Sequence, residues 1–379
     1  MNKNFLFALA ILIGTIIGAG IFGLPYVIER SGVIPGFFYF LVLGGAVLLI
    51  HLFFGETILR TKEKCRLPGF SQKYLGKSGK NLVMISVVIG VTGALLAYLI
   101  LAGGFLKILL SPTLNLSEIQ FTLIFWVVLS FFVFRGIKLI APAEFVTNVL
   151  FFLVIIIILG LCLPKFDISN ISILNPPNVF LPFGVILFSL IGWSAIPEMV
   201  DFLKSPIERK NIKKIIVSAI VIVVLFYVLF VTSVIGVAGE NVSQDTLSGL
   251  IPFLGQKIIF FIALAAIITL ADSFLVLGLY LRNTFIYDLK FPKIISTITA
   301  CGLPLLLFLI GFRSFIGTVS FVGTIVGVIE GIIIILIFKK AKELGDREPE
   351  YSLKIPIVLL YGLMLLLVFG AISQFWGGF

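Results

Sequence analysis

Long apolar runs dominate the chain, and polar residues gather between them. Eleven runs, at about 5–29, 33–59, 81–110, 119–135, 143–163, 179–202, 213–237, 257–285, 293–311, 314–338 and 355–376, are each long enough to cross a hydrocarbon core of about 30 Å. The pattern predicts one all-α integral membrane domain over residues 1–379, with a first repeat over about 5–163, a second over about 179–338 and an extra helix at about 355–376. Two runs are interrupted midway. The first carries GTIIGAGIFGLP, Gly14 to Pro25, which puts the poorest helix formers in the middle of a spanning segment. Unwound backbone at membrane depth is tolerated only where protein or a watery cavity satisfies its N–H and C=O groups. The sixth run carries LIGWSAIPEM. Gly18 aligns with Gly192, Gly20 with Ser194 and Gly23 with Pro197, at a constant offset of 174 residues. Five crossings separate the two breaks, so the second copy enters from the opposite side. Paired broken spans in inverted halves are the pattern of a carrier with a central solute site.

Composition agrees with lipid as the solvent: 379 residues, 60% hydrophobic and 12% charged, with a mean hydropathy of +1.22. The net charge of +10 would suit an anionic partner such as nucleic acid, but its placement argues against one. With the N-terminus in the cytoplasm, only Arg30, Lys107, Lys165, Lys257 and Arg313 fall outside, which leaves 23 of the 28 basic residues inside. The positive-inside rule accounts for that asymmetry, and it puts the C-terminus outside. A multi-pass protein of the plasma (cell inner) membrane is therefore expected, with the lipid bilayer as its partner and no nucleic acid. The first run outlasts a secretory h-region and is expected to act as its own insertion signal. Cys65, Cys162 and Cys301 are scattered and odd in number, so neither a disulfide framework nor a metal site is indicated. No HExxH, GxSxG or complete P-loop occurs, which argues against an enzyme and against direct use of ATP.

GTIIGAGIFGLP, the SLIGWSAIPEMVDFL of the sixth run and the inner-loop run KCRLPGFSQKYLG together resemble the amino acid/polyamine/organocation superfamily. The likeness spans essentially the whole chain, through KKAKELGDREPEYSLKIP, and is nearest to the aromatic amino acid permeases and their amino acid/auxin relatives. It implies a leucine-transporter-like fold: a 5+5 inverted repeat with discontinuous helices 1 and 6, and eleven transmembrane helices in all. It further implies secondary active import of amino acids by alternating access, aromatic or other neutral ones first, coupled to H⁺ or Na⁺ and with no other cofactor. An exchanger is the alternative, and a channel or a non-transporting receptor stands further off.

An amino acid zwitterion at mid-membrane needs donors for its carboxylate and acceptors for its ammonium, and broken helices supply both from backbone. The N–H groups of Ala19, Gly20 and Ile21 begin the outer half of the first span, where the helix dipole favours an anion. The C=O groups of Ile16, Phe188, Ser189 and Leu190 end half-helices and are the expected ammonium acceptors. Trp193 either covers the solute or packs as a core indole. Tyr98 resembles the family's pocket-lining tyrosine, with packing as the other reading. Asp272 lies deep in the eighth span, where a bare carboxylate is costly. The resemblance carries a sodium site onto the C=O groups of Gly14 and Ile17 with Thr269, Asp272 and Ser273. An aspartate departs from the family's usual hydroxyl at that position, so proton carriage and Na⁺ ligation are both open, as is a structural pairing. Glu198 and Glu56 are candidate inner-gate carboxylates, Glu56 lying four residues before Arg60. Glu144 and Glu330 sit where relatives are acidic. His51, the one histidine, fits a proton relay or an interhelical hydrogen bond.

Overall fold

Among the described residues every apolar run becomes helix and no strand occurs, because a backbone in hydrocarbon must satisfy its own hydrogen bonds. The computed structural model describes residues 3–111, 113–136, 141–287 and 289–377, with backbone alone at 3, 141–145, 148 and 377. Lys138 and the Glu144 side chain lie outside this description. In chain order the helices are α1 (Lys3–Ile16), α2 (Leu24–Ser31), α3 (Val33–Arg60), α4 (Leu67–Leu110), α5 (Glu118–Arg135) and α6 (Ala141–Cys162). There follow α7 (Pro182–Leu190), α8 (Ile196–Phe202), the single turn α9 (Pro206–Arg209), α10 (Ile212–Ala238) and α11 (Leu247–Leu254). The chain ends with α12 (Gln256–Tyr287), α13 (Lys293–Leu309), α14 (Phe315–Leu344) and α15 (Ile357–Gly377).

Among the described residues, eight segments are long and apolar enough to span a bilayer, counting α7 and α8 together as Pro182–Phe202. The pair α1 and α2 makes a ninth if its 47° bend is one broken span. Two further apolar helices, 149–165 and α13, are shorter. Element boundaries follow local chemistry. Ser117 and Gln120 form a reciprocal capping box at the start of α5, and Gly136, at φ +73°, ends that helix. Two boundaries differ most from the sequence expectation: α14 continues to Leu344, six residues past its expected run, and residues 67–80, expected as inner loop, are helical within α4. Gly76 at φ +78° lets the chain turn there without losing the helix on either side.

α14 stands at the centre, with 72% of its apolar window buried against 28% for α5, so α5 faces lipid and α14 faces protein. It packs on α4, α7, α3 and α15. The contact with α7 is close because Gly323 has no side chain: a Cβ there would lie 1.9 Å from the Gly184 carbonyl oxygen. A second group gathers α12 with α4, α13 and α6, while α1 leans chiefly on α10 and α8.

At the end that carries loops 61–66 and 345–356, the C-terminal loop is strapped across α3. The Glu56 carboxylate is fully buried, takes Arg60 at 2.8 Å, and accepts the Leu353 N–H at 2.7 Å and the Ser352 hydroxyl at 3.2 Å. Lys73 meets Asp346 at 2.6 Å, a hydrogen bond that holds this loop carboxyl below the usual range. Glu56 is therefore placed as the anchor of a strap rather than on a passage wall.

Candidate functional site

The two breaks meet at the middle of the bundle. α1 closes with the Ile17 N–H on the Ile13 carbonyl, and the chain then turns through Gly18 into a 3₁₀ turn, Ala19–Gly23. α7 ends at Leu190, passes Ile191 and Gly192, and resumes through a 3₁₀ turn, Trp193–Ala195, into α8. The breaks are in mutual contact through their glycines. A Cβ on Gly20 would lie 2.5 Å from Ser189 Oγ, and one on Gly192 would lie 2.2 Å from Ile16 Cγ1. Gly18 is different: nothing lies within 4 Å of its Cβ direction, and it faces open space.

That space is a cavity of about 430 Å³. Its floor is Ile16, Gly18, Ala19 and Gly20 with Phe188, Ser189 and Trp193, and an apolar wall of Val87, Val91, Leu277, Val322 and Val326 rises beside Tyr98 and Tyr280. Its mouth opens at the loop 61–66 end, where Arg66 pairs with Glu198 at 3.4 Å and Lys64 with Asp201 at 2.9 Å. The opposite end is shut. Phe22, fully buried in the first 3₁₀ turn, meets Phe105 edge-on at 5.6 Å and Phe151 at 5.9 Å, and the Thr246 hydroxyl donates to its carbonyl. A second cavity of about 480 Å³ beyond that seal shares no lining residue with the first.

Of the three residues whose N–H groups are expected to face the solute, two line the cavity. Ala19 and Gly20 begin the 3₁₀ turn and line the cavity, but the Ile21 N–H donates to the Gly18 carbonyl at 3.2 Å and Ile21 is buried off the wall. A 3₁₀ turn closes one residue sooner than an α-turn, so one donor fewer is left over. The acceptor set also changes. The Ile191 N–H takes the Phe188 carbonyl at 3.3 Å, and the Tyr227 hydroxyl of α10 lies 3.1 Å from the Ile16 carbonyl and 2.9 Å from that of Ser189. Leu190 is fully buried and does not line the cavity. Tyr227 was not anticipated; a polar tip in the apolar middle of α10, Ala219–Val231, was the available signal.

Beside the second break the Trp193 indole N–H donates to Glu330 of α14 at 2.6 Å, and the Ser86 hydroxyl of α4 donates to the other carboxylate oxygen at 3.0 Å. The His51 ring lies 5.7 Å from the Trp193 ring; its Nδ1 holds the Val47 carbonyl at 2.8 Å. On α12, Thr269 donates to the Ala266 carbonyl within its own helix, and Ser273 is within hydrogen-bonding reach of Tyr98. Thr147 of α6 donates to Asp272, whose other oxygen, Oδ1, is buried with no hydrogen-bond partner among the described residues. Gly14 lies on α1 and Ile17 directly follows that helix, and α1 has no extensive contact with α12, because the cavity lies between these helices. The direct partner of Asp272 is thus Thr147 rather than an α1 carbonyl.

The model of the tryptophan/tyrosine permease family matches residues 1–374. The chain belongs to that family. Curated relatives run alongside this permease at low identity. Glutamine transporter 2 of Aliivibrio fischeri is 23% identical over 393 residues, covering 97% of the permease and 99% of the relative. Tyrosine-specific transport system 1 of Haemophilus influenzae is 25% identical over 299 residues, covering 74% and 72%. The permease is a multi-pass membrane protein of amino acid transport.

Proposed function

We propose that this permease imports neutral amino acids across the plasma membrane by alternating access, driven by an H⁺ or Na⁺ gradient. The observation that carries the reading is the pair of touching helix breaks beneath a cavity that is open at one end and sealed by Phe22 at the other. In this reading the N-terminus and the cavity mouth are cytoplasmic, as the basic loops favour, and the state described faces inward. The helices compose two inverted five-helix halves plus α15, the arrangement of the wider amino acid/polyamine/organocation superfamily. Ala19 and Gly20 offer N–H groups to the substrate carboxylate at the head of a turn. The carbonyls at the ends of α1 and α7, held by Tyr227, offer acceptors to its ammonium.

The wall of valines and leucine with two tyrosines suits a side chain with substantial apolar surface. The relatives named for glutamine and tyrosine both concern neutral amino acids, which supports that class and leaves aromatic substrates first. Asp272 is the coupling-ion residue in this scheme. Its unpartnered Oδ1 is an acceptor awaiting a cation or a proton, and closure of the cavity would bring the Gly14 and Ile17 carbonyls toward Thr269, Asp272 and Ser273.

Purified protein in liposomes tests the whole scheme. Labelled tyrosine and glutamine should accumulate saturably under an imposed H⁺ or Na⁺ gradient and show counterflow without one. Asp272→Asn should keep counterflow and lose the gradient response. Flux that does not saturate would indicate a channel, and full gradient dependence in Asp272→Asn would remove that residue from coupling.

A further inference from the structure

Glu330 is a carboxylate placed inside the bundle with no ion pair among the described residues. It is 7% exposed, lines the cavity, and receives two neutral donors, the Trp193 indole and the Ser86 hydroxyl. An anion at membrane depth without a cation beside it is held at considerable cost, so a bound proton is the natural compensation. The indole that it holds is the first residue after Gly192, where α7 is broken. The ring of His51 lies 5.7 Å from the same indole. His51 donates its Nδ1 proton to the Val47 carbonyl, which leaves Nε2 as a lone pair, and that atom is buried without a partner among the described residues.

We propose that Glu330 is a proton-binding site whose charge state sets the position of Trp193 at the second helix break. With Glu330 ionised, the indole N–H is held by a charge-assisted bond of 2.6 Å. When a proton arrives through the open mouth, the carboxyl becomes neutral and its hold on the indole weakens. The N–H can then turn to His51 Nε2, across a ring separation of 5.7 Å. The turn Trp193–Ala195 and the cavity wall that it forms therefore have two arrangements, chosen by one proton. Other ionisable groups around the site are His51 on α3, Tyr98 on α4, Tyr280 on α12 and Glu198 with Arg66 at the mouth; α7 and the turn Ala19–Gly23 contribute none, and Tyr361 of α15 is engaged with Lys339. This site deepens the proposed function and rests on the reading of the cavity as a carrier's, while remaining distinct from Asp272.

The test reads Trp193 itself. In a Trp126→Phe/Trp376→Phe background Trp193 is the one tryptophan left, and its emission in detergent or nanodiscs is followed against pH without any gradient. One titration is expected, abolished by Glu330→Gln and retained in His51→Gln, whose amide still offers an acceptor. Ser86→Ala, which removes a donor from the ionised form, should move the midpoint to higher pH; it also serves if Glu330→Gln fails to fold. A flat emission, a titration that survives Glu330→Gln, one lost in His51→Gln alone, or an unmoved Ser86→Ala midpoint overturns the proposal. Thermal stabilisation of the unmutated protein by amino acids is measured in parallel. Its absence would count against the carrier reading, whereas the Trp193 titration judges Glu330 separately.

Discussion

The two helix breaks share a sequence signature and differ in what surrounds them. At the first, Gly18 opens onto the cavity with nothing within 4 Å of its Cβ direction. At the second, a Cβ on Gly192 would lie 2.2 Å from Ile16 and 3.4 Å from His51 Nε2, and the next residue is a buried tryptophan. One glycine borders open space and the other leaves room for a neighbouring helix. Symmetric topology therefore need not mean equal duties: the first break exposes backbone, and the second is packed around it.

Three substitutions separate those duties. Gly192→Ala has the largest expected effect, because its methyl would overlap Ile16 where the breaks touch. Overpacking of this kind costs about 1–3 kcal/mol. It should lower the thermal midpoint in detergent and remove uptake, and Ile16→Ala in the same chain should restore part of both. Recovery failing there would mean that the breaks do not rely on that contact. Tyr227→Phe comes next. It leaves the Ile16 and Ser189 carbonyls without their shared donor, and a buried polar group left unmet costs about 1–3 kcal/mol. Slower transport with a modest loss of stability is expected, and an unchanged midpoint and rate would show that the bridge is dispensable. Gly18→Ala is the mildest to the fold. The thermal midpoint should hold while KM for the transported amino acid rises on the order of tenfold, equivalent to ~1.4 kcal/mol. A fall in stability with KM unmoved would reverse the comparison between the two glycines.

The apolar helices were legible because lipid imposes one solution on apolar sequence, and the helix ends match the runs closely. Residues 67–80 were not, because their polarity resembles a loop and the turn at Gly76 depends on its own backbone angle. Both breaks could be read from Gly and Pro, but the loss of the Ile21 donor could not, since composition does not distinguish a 3₁₀ turn from an α-turn. The Glu56–Arg60 pair was visible at its i, i+4 spacing, whereas Leu353, 297 residues further on, was not. Tyr227 illustrates the same limit, with acceptors 211 and 38 residues away. Local chemistry announces itself in one stretch of sequence, and a bridge between helices does not.

Phe22 and Gly20 stand two residues apart in one 3₁₀ turn. Under the proposed carrier reading, the aromatic seal at one end of the cavity and the amides offered to the solute therefore belong to one turn. Neither can shift without carrying the other, so a bore open to both compartments would require that turn to come apart. In that reading the arrangement would work as an interlock between paired doors, handing a solute across while denying the membrane's ion gradients a short circuit.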